Sequence, residues 1–352
     1  MEKNAIVDFI ANEYVNSKSD WYLGYSGGKD STALLVLVLN ALKGRINPNC
    51  RLHVVYCDTG VEFPFIADIV KNQFCMLKQE LHTTNSDISF NIVKPSIEDR
   101  YFTMVIGNGY VPPTFLFRWC TRRLRIKPIQ QYIRKPDERI TVLLGIRNGE
   151  SQMRDNVISN HKTSNKYYTK QAGYPNTNVF CPIIDFSVED VWDTITNTEY
   201  PIGIARKQIC ESYSYIGTKF SEEGKYLCDY QQGRYGCWTC TVIRKDKAMK
   251  SLIDNGHQSL VPLRDFMNWL KEVREKEEKR DPNRITHKSG KGPFNMNTRK
   301  EILQQLFLAQ EKSGMQLIGL DELNYIYNIW RDAAEGYSTG VRAGRAFHSE
   351  TV

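Results

Sequence analysis

The sequence predicts an α/β protein with a doubly wound, mostly parallel sheet and a helical C-terminal region. Over the first 200 residues, short apolar runs alternate with segments that are long enough for helices. The apolar runs lack strict polar alternation, which is typical of parallel strands that are covered on both faces. Residues 205–250 are rich in Tyr, Gly and Cys and show little periodicity, and amphipathic helical patterns follow from residue 262. We therefore expect an α/β domain over residues 1–204 and a helical region over 205–352.

The predicted elements follow in chain order. Short apolar runs predict four strands: Trp21–Tyr25, Leu52–Cys57, Ile88–Val93 and 141–146. Longer segments of apolar or amphipathic character predict helices at 30–42, 64–81, 262–280, 301–312 and 321–335. A further helix is predicted to begin after Ser187, because Ser187 can cap it and Asp190 stands at the capping-box position. Pro201 is expected to end that helix, and the tail after Gly336 is expected to be poorly ordered.

The composition is that of a globular protein and limits its location and partners. With 352 residues, 41% hydrophobic and 25% charged, the chain is neither collagen-like nor wholly disordered. The net charge of +7 permits a polyanionic partner without requiring one. No apolar stretch approaches the roughly 18 residues of a membrane span, so we expect no membrane association. The N-terminus lacks a basic region followed by an apolar core, so we expect a cytoplasmic protein.

A phosphate-binding loop is the strongest local signal. The segment SGGKDST at 26–32 stands between a predicted strand and a predicted helix. Its glycines let backbone N–H groups point inward, the helix adds its positive N-terminus, and the lysine adds a full charge. The pattern is not a Walker A motif, and an ordinary strand-to-helix turn is the alternative. The candidate nucleotide-binding residues of this loop are Ser26, Gly27, Gly28, Lys29, Asp30, Ser31 and Thr32.

This segment resembles the signature of the PP-loop ATP pyrophosphatases, which adenylate a substrate and release pyrophosphate. Later blocks are similar to the phosphoadenosine-phosphosulfate (PAPS) reductase branch of that family: CDTGVEFP at 57–64, WCT at 119–121 with RIKP at 125–128, and GIRNGESQMR at 145–154. The resemblance implies an adenine nucleotide alpha hydrolase-like fold that binds ATP with Mg²⁺.

The same blocks extend the candidate site beyond the loop. Asp58 at a strand end can accept a hydrogen bond from adenosine, and Gly145 belongs to a matched block. Lys29, Arg147 and Arg154 are candidate catalytic residues, because cations stabilise phosphoryl charge. From the residues alone, a turn aspartate is the lesser alternative for Asp58, whereas surface ion pairs explain the arginines equally well.

Nine cysteines require an explanation, because disulfides are rare in the cytosol. Cys237 and Cys240 form a C-x2-C pair, and Cys228 precedes them closely. Cys120 could add a fourth thiolate if the C-terminal region folds back over the nucleotide domain. Four thiolates suit either zinc or a [4Fe–4S] cluster, and buried free thiols are the bland alternative.

The segments RYGCWTCTV at 234–242, KDK at 245–247 and GPF at 292–294 resemble DNA phosphorothioation sulfurtransferases. The similar proteins are protein C of the Dnd type and protein D of the related Ssp system. The resemblance implies ATP-dependent sulfur transfer to DNA as acceptor, with a [4Fe–4S] cluster. It also implies a cysteine desulfurase as sulfur donor and other phosphorothioation proteins as partners. A sulfonucleotide (PAPS/APS) reductase and a PP-loop tRNA thiolation enzyme remain alternatives.

Basic and aromatic residues are interleaved around Cys120. Five basic residues occupy positions 118, 122, 123, 125 and 127, and aromatic residues occupy positions 115, 117 and 119. One interpretation is contact with a nucleic-acid backbone. We favour nucleotide-phosphate binding together with solvated charge, because basic runs are usually solvated faces. The tyrosines between 213 and 235 are likewise expected to pack rather than to stack on bases.

Overall fold

The structure is a computed structural model that describes residues 3–81, 87–133, 138–149, 165–170, 176–198, 206–229, 235–282 and 291–335. Three predictions concern residues outside these ranges: the role of Arg154, the helix end at Pro201 and the order of the tail after Gly336. Among the described helices, none is both long and apolar enough to cross a membrane.

The chain divides into two compact units, each of which is discontinuous in sequence. The first contains Met1–Asp58, Phe63–Val93 and Ile129–Tyr235. The second contains Thr59–Glu62, Lys94–Pro128 and Gly236–Val352. The division into consecutive domains, 1–204 and 205–352, stays a prediction.

A six-stranded, mostly parallel sheet forms the centre of the first unit, which confirms the predicted fold class. Its strands are β1 (Trp21–Tyr25), β2 (Leu52–Cys57), β3 (Ile88–Val93), β4 (Ile140–Leu143), β5 (Tyr168–Lys170) and β6 (Thr177–Phe180). Their order is β3-β2-β1-β4-β6-β5, and of these six only β5 is antiparallel to its neighbour. The strand order reverses between β1 and β4. In open α/β sheets, ligands bind beyond the carboxyl ends of the strands at such a switch point.

Helices cover this sheet. Those that begin in the first unit are α1 (Lys3–Val15), α2 (Lys29–Leu42), α3 (Pro64–Leu81), α5 (Val188–Asn197) and α6 (Arg206–Ser214), while α4 (Lys127–Ile133) crosses the boundary between the units. Helix α2 packs against β1, α1 and α5, which explains why it is apolar on every side. A small hairpin of β7 (Thr218–Phe220) and β8 (Tyr226–Asp229) completes the unit as described.

The predicted cap of α5 is confirmed. The Ser187 hydroxyl accepts a hydrogen bond from the backbone N–H of Asp190 at 3.1 Å, and the Asp190 carboxylate accepts one from the N–H of Ser187 at 2.8 Å. The box therefore closes with Asp in the place where Glu or Gln is more usual.

The described part of the second unit is mainly helical, as predicted for the C-terminal region. Its helices are α7 (Lys247–Asp254), α8 (Val261–Glu275), α9 (Met296–Ser313) and α10 (Leu320–Ala334). Two π-helical segments, Thr103–Gly107 and Thr121–Ile126, lie earlier in the chain. Helices α9 and α10 pack against the first segment, where Gly107 permits close approach: a Cβ there would lie 3.0 Å from Ile329 Cδ1.

Candidate functional site

The predicted nucleotide-binding residues lie at the carboxyl ends of adjacent parallel strands. Ser26 follows β1 and Asp58 follows β2. Gly145 and Arg147 come shortly after β4, which was predicted to continue to residue 146 but ends at Leu143. The structure therefore gathers these motifs at the edge of the sheet where the strand order reverses.

Two glycines, one within the 26–32 loop and one packed against it, have no room for a side chain. Gly27 has a φ of +74°, and a Cβ there would lie 2.7 Å from Val70 Cγ2. A Cβ at Gly145 would lie 2.8 Å from the backbone oxygen of Asp30. The segment after β4 is thus packed directly against the N-terminus of α2, which requires glycine at this position.

Hydrogen bonds within the loop fix its curvature. The hydroxyls of Ser31 and Thr32 both donate to the carbonyl oxygen of Gly28 at 2.9 Å. The backbone N–H of Ser26 donates to the Ser31 hydroxyl at 3.2 Å. Thr32 is completely buried. These hydroxyls therefore hold the loop in shape, and their direct contact with a nucleotide stays a prediction.

Both predicted cations of the site that the structure describes are paired with Asp30. The Lys29 ammonium lies 3.2 Å from Asp30 Oδ2, and Arg147 Nε donates to Asp30 Oδ1 at 2.6 Å. Arg147 is 5% exposed, and its Nη1 also donates to the carbonyl oxygen of Phe186 at 3.1 Å. Arg147 therefore anchors the carboxylate in the first turn of α2, where a negative charge is favourable. Its contact with a phosphate stays a prediction.

The structure adds Tyr213 to the site, a residue that the sequence indicated only for packing. The backbone N–H of Lys29 donates to the Tyr213 hydroxyl at 2.9 Å. The Lys29 ammonium lies 5.9 Å from the centre of the same ring. Tyr213 is 184 positions away in the chain, so no local pattern could have revealed the contact.

Asp58 is a buried carboxylate at the end of β2. Its backbone N–H donates to the carbonyl oxygen of Val93 at 2.9 Å, and its Oδ2 lies 3.9 Å from Lys71 Nζ. A fixed carboxylate at a strand end can accept hydrogen bonds from adenosine hydroxyl or amino groups.

The C-x2-C segment forms a turn in the second unit. The N–H of Cys240 donates to the carbonyl oxygen of Cys237 at 3.0 Å. The N–H of Trp238 donates to Val61 at 3.0 Å, and Glu62 forms an antiparallel bridge with Cys237. The turn is therefore held against the segment that follows Asp58 in the chain.

Three of the four predicted cluster cysteines interact electrostatically within this unit. Burial raises the pKa of Cys237 to about 11. The charge of Arg125 acts to lower this pKa, whereas Cys240 and Cys120 act to raise it. Burial also raises the pKa of Cys120, and Cys240 reinforces that shift. Arg125 Nη2 lies 3.8 Å from Cys237 Sγ, where its charge would stabilise a thiolate.

The residues that the structure describes do not form a completed metal centre. Across the described ranges, no group of three or more His, Cys, Asp or Glu side chains is arranged to hold a metal ion. Cys228 lies on β8 of the first unit. The donor chemistry suits zinc or an iron–sulfur cluster, and the four-thiolate site stays a prediction.

Ion pairs occupy most of the basic residues near Cys120. Asp99 is buried and accepts hydrogen bonds from Arg123 and Lys127. Burial alone would raise the pKa of Asp99, but these hydrogen bonds lower it below its ordinary value. Arg125 lies 3.4 Å from Glu62.

Two exposed arginines of this basic run, Arg118 and Arg122, differ from the other three basic residues in their contacts. Arg118 lies over the Phe115 ring at 5.2 Å, and Arg122 is exposed. Neither forms an ion pair with any residue in the described part of the chain. Phe115 and Leu116 beside them are 63% and 93% exposed.

Curated relatives share part of the chain. Two uncharacterized proteins of Methanocaldococcus jannaschii, MJ0066 and MJ0973, are 28% identical over 201 residues and 26% identical over 190 residues. The matches cover 57% and 52% of this chain. They cover 36% and 38% of the relatives, so the chain spans well under half of their length.

Solved structures and a family model give further matches. FMN adenylyltransferase of Candida glabrata with FMN and AMPCPP is 14% identical, with a TM-score of 0.37 over 87% of this chain and 83% of that one. The U34-tRNA thiolase NcsA of Methanococcus maripaludis with its [4Fe-4S] cluster is 13% identical, with a TM-score of 0.35 over 82% of this chain and 83% of that one. Likeness at this level decides nothing about function. The model of the phosphoadenosine phosphosulfate reductase domain matches residues 21–243, which is more than half of the chain. The chain therefore belongs to the phosphoadenosine phosphosulfate reductase domain family.

Proposed function

We propose that the protein is a cytoplasmic, ATP-dependent sulfurtransferase with ATP pyrophosphatase activity that modifies DNA with phosphorothioates. The observation that carries the proposal is the phosphate loop at the switch point of the sheet, with Lys29 at the first position of α2. Helix N-termini and positive charge at such a place bind phosphate groups. The sulfur chemistry and the DNA acceptor rest on the resemblance of the 234–247 segment to phosphorothioation sulfurtransferases.

In the proposed reaction, the triphosphate of ATP, with Mg²⁺, lies over the loop at 26–32. A non-bridging oxygen of a DNA phosphate attacks the α-phosphorus, and the bond from that phosphorus to pyrophosphate breaks. A hydrosulfide ion, released when a thiol reductant reduces the persulfide of a cysteine desulfurase, then attacks the DNA phosphorus. The phosphorus–sulfur bond forms as the bond from that phosphorus to the adenylated oxygen breaks, and AMP leaves with that oxygen. Lys29 stabilises the charge of the departing pyrophosphate, Asp58 holds the adenosine, and Arg147 keeps Asp30 in place.

The cysteines are the proposed sulfur-handling part of the protein. Cys120, Cys228, Cys237 and Cys240 are the proposed ligands of a [4Fe–4S] cluster, with zinc as the alternative. Such a cluster, when bound, supplies a site where sulfur can be held. Arg125 would offset part of the negative charge of the thiolates.

Two exposed arginines support a nucleic-acid acceptor. Arg118 and Arg122 form no ion pair within the described residues, whereas the other three basic residues of that run are paired. Their charges are therefore available for backbone phosphates, and the exposed Phe115, whose ring Arg118 contacts, lies beside them.

The test compares Lys29→Ala with Lys43→Ala, which removes a lysine at the other end of α2. We expect Lys29→Ala to lower pyrophosphate release at least about a hundredfold, because one charged phosphate contact is lost. Lys43→Ala should act like the wild type. In cells that lack the gene, only active variants should restore DNA phosphorothioates, as detected by mass spectrometry of digested DNA.

A sulfonucleotide reductase is the second candidate, because the family model is that of the PAPS reductase domain. Sulfite release from an activated sulfate, without phosphorothioates in DNA, would establish that activity instead. Thionucleosides in tRNA that depend on the gene would establish tRNA thiolation. Pyrophosphate release by Lys29→Ala at the wild-type rate would refute the assignment of the loop.

A further inference from the structure

The Tyr213 hydroxyl lies over the phosphate loop, at the N-terminus of α2. Lys29 is the first residue of that helix, so its N–H has no partner inside the helix. This N–H donates to the Tyr213 hydroxyl at 2.9 Å. A Cβ built on Gly28 would lie 3.4 Å from the same oxygen. The hydroxyl oxygen therefore occupies a position directly above the turn of the loop.

A phosphate oxygen would need the same position. First-turn N–H groups are the donors that helix N-termini present to anions. One N–H makes one well-aligned hydrogen bond, so a phosphate oxygen on the Lys29 N–H excludes the Tyr213 hydroxyl. The two acceptors are chemically alike, because each presents an oxygen lone pair to the same donor.

Packing holds Tyr213 in this place. Its ring is 7% exposed and meets Trp192 edge to face at 5.0 Å and Tyr235 at 5.5 Å. Trp192 in turn stacks on Tyr226 of β8 at 6.1 Å. The hydroxyl is therefore carried by a cluster of aromatic rings. If the hydroxyl leaves the Lys29 N–H, the ring shifts relative to its neighbours Trp192 and Tyr235.

We propose that Tyr213 is a specificity-determining residue whose hydroxyl stands in for a phosphate oxygen and competes with the pyrophosphate part of ATP. The inference rests on the proposed function only in taking polyphosphate as the ligand of the loop. Tyr213 weakens the binding of free pyrophosphate, which favours its release after adenylation. A ligand such as AMP, which lacks the pyrophosphate part, does not compete with Tyr213.

The substitution Tyr213→Phe isolates this effect, because it removes the hydroxyl and keeps the ring contacts. Tyr235→Phe is the matched control: its ring belongs to the same cluster, but its hydroxyl donates to the carbonyl oxygen of Ser212. Calorimetry on the full chain with Mg²⁺ would measure the affinities for pyrophosphate, ATP and AMP. A competing hydrogen bond of ordinary net strength predicts about fivefold to tenfold tighter binding of pyrophosphate and ATP by Tyr213→Phe. The affinity of Tyr213→Phe for AMP should match that of the wild type. Tyr235→Phe should match the wild type for pyrophosphate, ATP and AMP.

A second measurement uses the unaltered tyrosine. Pyrophosphate, but not AMP, should change the tryptophan fluorescence of the wild type, and Trp192→Phe should remove that change. This readout remains usable if Tyr213→Phe proves unstable.

The outcomes separate the two proposals. Equal or weaker pyrophosphate binding by Tyr213→Phe overturns the competition while ATP binding by the wild type still supports the proposed function. An equal gain for AMP, or a wild-type fluorescence that pyrophosphate leaves unchanged, overturns it too. A wild type that binds neither ATP nor pyrophosphate refutes the proposed function, and the competition with it.

Discussion

A single methyl group at Gly27 should damage the phosphate loop. In Gly27→Ala the new Cβ would lie 2.7 Å from Val70 Cγ2, which is well inside van der Waals contact. Val70 is fully buried on α3, so it has no free space to yield. The φ of +74° adds a second penalty, because an L-residue with a Cβ rarely adopts it.

The magnitude follows from these two terms. The positive φ costs alanine about 1 kcal/mol relative to glycine. Overpacking a filled site costs about 1–3 kcal/mol. We therefore expect Gly27→Ala to lower the free energy of unfolding by about 2–4 kcal/mol. Where the loop shifts to relieve the contact, the same energy appears as weaker ATP binding, by about thirtyfold to almost a thousandfold.

Two controls separate the terms, with urea unfolding and calorimetry as the assays. Gly44 has a φ of +70° and open space around its Cβ position, so Gly44→Ala should cost about 1 kcal/mol and leave ATP affinity unchanged. Adding Val70→Ala to Gly27→Ala removes the contacted methyl group, so the two costs should sum to more than the cost of the double variant. Strict additivity, or equal effects of Gly27→Ala and Gly44→Ala, would show that the contact does not constrain the loop.

Three further predictions concern the second unit and its ligands. Hydrogen bonds from Arg123 and Lys127 lower the pKa of Asp99 in the folded protein. The stabilisation that the Asp99 carboxylate provides is therefore complete above its pKa in the unfolded chain, and it is lost as the pH falls through its pKa in the folded protein. Asp99→Asn should therefore lower the free energy of unfolding at pH 7 by about 1–3 kcal/mol, because the two cations that pair with Asp99 are partly exposed. Urea unfolding at acidic pH should show a smaller difference between the variant and the wild type, and a difference that does not change with pH would contradict the prediction. Anaerobically purified protein should hold about four irons and four sulfides. Replacing any one of the proposed ligand cysteines by Ser should remove them, whereas Cys75→Ser should not. Colourless protein with stoichiometric zinc would contradict the proposed cluster. Replacing Arg118 and Arg122 by Ala should weaken DNA binding and reduce its salt slope by about 1–2, and an unchanged slope would exclude them as phosphate contacts.

Local patterns predicted the parts of the fold that depend on neighbours in the chain. The strand at Trp21–Tyr25 and the cap at Ser187 both have the predicted bounds or hydrogen bonds, because apolar runs and capping residues act over a few positions. Helix α1 (Lys3–Val15) was missed, since it carries neither an acidic first turn nor a basic last turn. The short strands β5 and β6 were missed as well, because three or four residues give too little pattern to recognise.

The candidate site was predictable in its loop but not in its pairings. The SGGKDST pattern identified the turn because the glycines and the following helix are contiguous in sequence. The contact of Lys29 with Tyr213 joins segments that only the tertiary fold brings together. The direction in which Arg147 points was equally hidden, because a motif gives the residue type and not the partner that its guanidinium meets.

Those pairings decide which cation can reach a nucleotide. Asp30 is shared by Lys29 at 3.2 Å and by Arg147 at 2.6 Å, so a phosphate must compete with a carboxylate for either charge. Arg147 is almost fully buried and holds a second acceptor, the carbonyl oxygen of Phe186, and moving it would leave both acceptors without their donor. Lys29 has the longer contact and a flexible side chain, and its release costs less because Arg147 still neutralises Asp30. For the proposed nucleotide, we therefore infer that Lys29 is the mobile cation that can turn to the phosphates, and that Arg147 is the fixed charge that remains on Asp30.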